Sequence, residues 1–183
     1  MKYDLRKVMR RAWEIKKENR DNIFGVCLKM AWREVKDLLS YASTPLKAPK
    51  ALKKEEMPEL KGTEKQVAWA KKIRNEIGSY CIYYMKKSLN GRPLKALFST
   101  KYINHEIDEV YESMVNGGSE EKYAIKHRGW RKDFWVKNIE MYNRFYDMFT
   151  KNDSAVFWIN NRISCNSTNQ VNLERYLDGE YEF

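Results

Sequence analysis

The residues best suited to chemistry lie in "KYAIKHRGWRKDFWVK", 122–137. Lys122, Lys126, His127, Arg128, Arg131, Lys132 and Lys137 surround two tryptophans there, Trp130 and Trp135. Cations neutralise phosphates, and indole or guanidinium planes stack on unpaired bases. The segment therefore reads either as a nucleic-acid contact or as an ordinary basic face. Gly129 is expected to break the backbone between two helices, so that Arg128 and Arg131 diverge onto an exposed edge. Trp130 then stands at a helix start and faces solvent, whereas Trp135 follows the apolar stripe into the core. Arg6, Lys7, Arg10, Arg11, Lys17 and Arg20 form a second basic face near the N-terminus. The candidate binding set is Lys122, Lys126, Arg128, Trp130, Arg131, Lys132, Arg6 and Arg10.

The other chemistry-bearing stretch is "NHEIDEVYE", 104–112, where His105 and Glu109 are one helical turn apart. A zinc HExxH site needs a second histidine at 109, and glutamate stands there. His127 is the only other imidazole, so an acidic solvated helix face explains the stretch better than a metal or a nuclease centre. Serine-nucleophile, phosphate-loop and dinucleotide-loop motifs are absent. No catalytic residue, metal or cofactor is expected. Cys27, Cys81 and Cys165 are far apart and odd in number, which suits reduced thiols better than a zinc or disulfide framework.

The elements that must position these residues can be read from periodicity. Asp4 can cap a helix with Leu5, Val8, Met9, Ala12 and Trp13 on one side, ending near Arg20. Phe24, Cys27, Leu28, Ala31, Trp32, Val35 and Leu39 then repeat at helical spacing, so 1–40 reads as a helical hairpin. Pro45, Pro49 and Pro58, with a run of lysines and glutamates between them, mark 41–61 as an extended linker. The larger body, 62–183, opens with "GTEKQVAWAKKIRNE". Thr63 and Gln66 have capping-box spacing, and Trp69, Ala70, Ile73 and Ile77 share a face that places Trp69 in the core. "NGRP" ends that helix. Tyr102 to Met114 mark the next, stopped by Gly117 and Gly118, and Ser119 starts a short helix through Lys126. A capped short helix is expected in "NDSAVFWINNR", then a polar loop over 166–170 and a helical turn or two over 171–177. No strand pair has a convincing hairpin turn. The expected fold is mainly α, a hairpin plus a larger helical body, with room for a small β element around 79–85 or 156–159. The last ten residues, "ERYLDGEYEF", read as a solubilising tail or as a phosphate mimic.

Of the 183 residues, 43% are hydrophobic and 14% aromatic, enough for a packed core. Thirty-five basic against 25 acidic residues give a net charge of +10, which favours anionic partners: nucleic acid, a nucleoprotein or an acidic protein surface. Apolar runs stay short of membrane-spanning length and no signal-peptide pattern opens the chain, so the expected setting is cytoplasmic, with no membrane partner.

Three stretches also carry a resemblance. "VMRRAWEIKKENRDNIFGVCLKMAWREVK" resembles a helix pair in small proteins of phages and mobile elements from Firmicutes, a RAWEI…K helix followed by an ALKxAWxxxK helix. "LKGTEKQVAWAKKIR" resembles their L-x-G-[ST]-E-K-Q-[IV]-x-W-A-x-x-I-R module, and "DSAVFWINNR" is similar to the D-A-x-F-W-I-D-N-R segment that often comes after it, with Asn160 in place of the aspartate. The group includes type II anti-CRISPR proteins that inhibit Cas9. The resemblance implies a binding protein of a mobile element that acts in the bacterial host cytoplasm on the Cas9–guide RNA complex, and it supplies no catalytic residues. The alternative is a nucleic-acid-binding accessory protein of phage or plasmid replication, acting on bare nucleic acid.

Overall fold

The computed structural model describes residues 5–18, 20–163 and 168–182, apart from the side chains of Lys7, Leu38, Leu39 and Lys122. Asp4 and Cys165 therefore lie outside the described residues. Among those described, the fold is mainly α: α1 Leu5–Glu18, α2 Phe24–Ser43, α3 Glu64–Ser88, α4 Thr100–Asn116, α5 Glu121–Lys151, α6 Ala155–Asn160 and α7 Thr168–Asp178. Short 3-10 helices occupy Lys54–Glu56 and Leu94–Phe98. The 79–85 and 156–159 stretches are helical, and among the described residues β structure is limited to an isolated parallel bridge between Lys61 and Ser154.

The chain divides into two compact units, one formed by the chain through Pro45 with Ile107–Lys132, the other by Leu46–Glu106 with the chain from Asp133. These boundaries differ from 1–40, 41–61 and 62–183, because α4 and α5 each contribute to both units.

In the first unit, α1 and α2 form the hairpin around Val8, Ala12, Ile15, Cys27 and Ala31, flanked by Phe24, Leu28, Trp32 and Val35. Ala12 and Ala31 are fully buried, and their small side chains let the two backbones approach closely. Arg11 bridges the helices, its Nε donating to Glu34 Oε2 at 2.7 Å and Nη2 to Oε1 at 3.3 Å. Glu34 holds the Arg11 guanidinium firmly in its charged form. Lys16 fastens the connection by donating to the Asn22 carbonyl at 2.6 Å and to the Arg20 carbonyl. Not all of the α1 stripe is core: Leu5, Met9 and Trp13 are exposed, Trp13 with its ring centroid 4.4 Å from that of Phe24.

The turn from α4 to α5 has the geometry its glycines suggest. Ser119 N donates to Met114 O at 2.9 Å, with Gly118 at φ 80°, where a side chain is strained. Beyond the turn, the expectation of two helices is corrected. From Glu121 to Lys151 the chain is one 31-residue helix, and Gly129 lies inside it. Glycine costs a helix only about 1 kcal/mol relative to alanine. The apolar row Phe134, Trp135, Tyr142, Phe145 and Phe149 outweighs that by packing against the second unit's core.

In the second unit, α3 begins with the expected capping box. Gln66 N donates to Thr63 Oγ1 at 3.4 Å, and Thr63 N to Gln66 Oε1 at 2.9 Å. Its buried row is Ala70, Ile73, Ile77, Cys81 and Met85. Trp69 is one residue, about 100° of helix rotation, off that row. It is 49% exposed, which corrects its placement in the core. Residues 46–61 belong to this unit. Leu46 and Asn104 exchange two hydrogen bonds of 2.8 Å, and Leu52 N donates to the Tyr142 hydroxyl at 2.6 Å.

The two segments singled out by resemblance meet here. Lys61 N donates to Asp153 O at 2.6 Å, Ala155 N to Lys61 O at 3.0 Å, and Lys61 Nζ lies 2.5 Å from Asp153 Oδ2. Ser154 caps α6 by accepting from Phe157 N at 3.4 Å. Trp158 is fully buried against Phe149, ring centroids 5.0 Å apart, while Asn160 is exposed. The acidic C-terminal stretch is not a loose tail as far as Asp178. Leu173 and Leu177 are buried, and the Tyr80 and Tyr84 hydroxyls donate to Glu174 and Asp178, the latter at 2.7 Å. Only then does the helix stop, at Gly179.

Candidate nucleic-acid interface

On a single helix, the 122–137 cluster divides by angle. At 3.6 residues per turn, Tyr123, Lys126, His127 and Trp130 share one side of α5, while Arg128 and Lys132 point to another. The solvent side is built around Trp130, which is 53% exposed. Lys126 Nζ lies 4.8 Å from the Trp130 ring centroid, and the His127 ring meets the indole edge-on at 4.7 Å. Tyr123, one and two turns before them, is 48% exposed. Arg131 is half-buried beside this group.

Arg128 is turned inward instead. Nη2 donates to Asp108 of α4, the guanidinium lies 5.5 Å from the Tyr111 ring centroid, and Nε is buried without a hydrogen-bond partner among the described residues. The expected divergence of Arg128 and Arg131 onto one exposed edge is therefore corrected: only Arg131 is on that side. Lys132 is 3% exposed. Its ammonium donates to the Tyr41 carbonyl and, at 2.7 Å, to the Thr44 carbonyl, and lies 4.2 Å from the Tyr41 ring centroid. A cation at the last carbonyls of α2 satisfies acceptors that the helix leaves open and complements its dipole. Both residues hold the first unit together. The Lys122 side chain lies outside the described residues.

Arg6 and Arg10, one turn apart on α1, are exposed. Of the candidate binding residues described in this unit, Lys126 and Trp130 on α5 and Arg6 and Arg10 on α1 are exposed, and Arg131 is half-buried. Tyr123 and His127 belong with the α5 group. Their 123–126/127–130 spacing is visible in the sequence once the helix is started at Glu121 rather than after Gly129.

The acidic stretch 104–112 is drawn into the structure differently. Glu106 accepts twice from Arg92 Nε, at 2.7 and 2.8 Å, and once from Trp135 Nε1 at 3.0 Å. Asp108 is engaged by Arg128, and His105 is exposed. Among the described residues, no group of three or more His, Cys, Asp or Glu side chains is placed to hold a metal ion. Cys27 and Cys81 are buried free thiols, and burial pushes Cys81 up to about 12. No described helix is long and apolar enough to cross a membrane.

No family model, curated protein or solved structure matches the chain.

Proposed function

We propose that this chain is a non-enzymatic binding protein of a mobile element that acts in a bacterial host cytoplasm on a nucleic-acid-directed defence, engaging the Cas9–guide RNA complex through exposed RNA. The observation that carries the nucleic-acid part is the Lys126–His127–Trp130 group, an exposed indole flanked by a cation and an imidazole. Such a group can stack an unpaired base and neutralise its phosphate together. A buried structural tryptophan such as Trp135 offers neither. The net charge of +10 supports an anionic partner. Cas9-type effectors hold their heteroduplex in positively charged channels, so a basic protein is better suited to their exposed RNA or displaced strand. The mobile-element and Cas9 parts rest on the three resembling stretches.

The test is capture of Cas9 by the tagged protein with and without guide RNA, alongside a DNA-cleavage assay. Guide-dependent capture and loss of cleavage are expected, both weakened by Lys126→Glu with Trp130→Ala. Normal cleavage at a large molar excess of the protein would end the Cas9 reading. Gel shifts of bare DNA or RNA that weaken steeply with salt, without an effect on Cas9, would support the replication-accessory alternative.

A further inference from the structure

The outer face of α3 carries a second set of cations and rings, in the other unit. The buried row from Ala70 to Met85 fixes which side of this helix faces inward. Turned away from that row, Lys65, Trp69, Lys72, Tyr83 and Lys87 fall within about 40° of one line. Trp69 is 49% exposed and Tyr83 61% exposed. The Arg162 guanidinium lies 5.7 Å from the Trp69 ring centroid, held there by a 3.1 Å bond from Nη1 to the Ile159 carbonyl.

Among the described residues, lysines of this unit are either ion-paired or free of a carboxylate, and those of this face are of the second kind. Lys61, Lys137 and Lys151 each meet a carboxylate. Lys65, Lys72 and Lys87 have no ion-pair partner among the described residues. One carboxylate, Glu76, shares their side of the helix. The face therefore carries a net positive charge, three lysines against Glu76, interrupted by two half-exposed rings. Trp69 and Tyr83 are fourteen residues apart, about 21 Å along the helix at ~1.5 Å per residue.

Charge alone would suit a duplex or an acidic protein equally. The rings decide between these partners: a duplex keeps its bases stacked inside, and an acidic protein surface offers carboxylates but no row of flat faces. A single strand presents phosphates and unstacked bases together. We propose that the outer face of α3, with Arg162 on Trp69, is a binding surface for single-stranded nucleic acid. Bases stack on Trp69 and Tyr83, and Lys65, Lys72 and Lys87 neutralise the phosphates. The inference extends the reading of the chain as nucleic-acid-directed, but it uses different residues, so each can fail alone.

The experiment is fluorescence anisotropy of the full chain with a labelled mixed-sequence RNA of about 12 nucleotides, within the range of single-strand site sizes. The same RNA as a duplex and poly-glutamate serve as competitors, at two salt concentrations. The single strand is expected to bind tighter than the duplex. Trp69→Ala with Tyr83→Ala should weaken it roughly 5-fold to 150-fold for each base that loses its stack. Lys72→Glu with Lys87→Glu should weaken it and flatten the salt slope. Exposed lysines can be changed without unfolding the chain, so this pair decides the matter should the aromatic pair disturb the fold. Lys126→Glu with Trp130→Ala is run in parallel. If that variant loses the single strand while both α3 variants bind as wild type, the α3 surface is refuted and the α5 reading stands. Equal affinity for duplex and single strand, or displacement by poly-glutamate as efficient as by RNA, also overturns the proposal.

Discussion

Replacing Gly129 by alanine tests the continuity of α5, on which the division of the basic cluster depends. A methyl group built on Gly129 meets no atom within 4 Å outside its own helix backbone and chain neighbours. The substitution therefore introduces no clash, and the residue lies within a 31-residue helix. Alanine is favoured over glycine in a helix interior by about 0.8–1.0 kcal/mol, largely because glycine has more conformational freedom to lose on folding. For a chain of this size, ~1 kcal/mol corresponds to about 2–4 °C in Tm. Gly129→Ala should accordingly raise the melting temperature by that amount, with far-UV circular dichroism unchanged. Gly62→Ala should move it the other way. There the added carbon would lie 3.0 Å from Ala155 Cβ and 3.3 Å from the Gln66 side-chain oxygen, where Lys61 pairs with Ser154. Overpacking of this kind costs about 1–3 kcal/mol. Differential scanning calorimetry is the assay of choice, because the two glycines belong to different units and a split transition would show which one each change moves. A Gly129→Ala protein that melts lower than wild type would refute the continuous helix and restore a backbone break at Gly129.

Arg128→Glu should lower the melting temperature, losing the Asp108 bond and placing two carboxylates together. A hydrogen bond to a charged group is worth about 1.5–3 kcal/mol, whereas Arg131→Glu should stay within ~0.5 kcal/mol. Thermal melts of the two single mutants separate the cases, and equal melting temperatures would contradict the inward placement of Arg128. Trp158→Ala should cost about 3–5 kcal/mol in chemical denaturation, because the fully buried indole leaves a cavity. Tyr80 is held neutral by burial and by its bond to Glu174, which push it up to about 12 from an ordinary value near 10. A raised folded-state value means that its stabilisation is full below about pH 10 and is lost as pH rises through about 12. Wild type should lose stability across that alkaline window more steeply than Tyr80→Phe, as read from urea midpoints at pH 9 to 12 in roughly one-unit steps.

Much of the fold was legible in the residue order, because it depends on neighbours within a turn or two. The apolar spacing of α1 and α2, the Thr63–Gln66 box and the Gly117–Gly118 stop are local devices. Each works through backbone donors and acceptors only a few positions away. What tertiary structure decided was which side of each helix faces inward, and hence which charged residues remain available. Trp69 sits beside the apolar row on α3, and a helical stripe is too broad for spacing alone to tell its edge from its centre. Arg128, Arg131 and Lys132 are equivalent in composition. They separate only because Asp108 and the last carbonyls of α2, distant in sequence, stand where two of the three side chains point. Gly129 reads locally as a break, yet long-range packing of the aromatic row carries α5 through it at a cost of only about 1 kcal/mol. The sequence alone thus determined a helical, strongly basic, aromatic-rich chain. Long-range contacts selected Lys126 and Trp130 for solvent and Arg128 and Lys132 for the interior, because burial and pairing are properties of the folded surroundings and not of residue type.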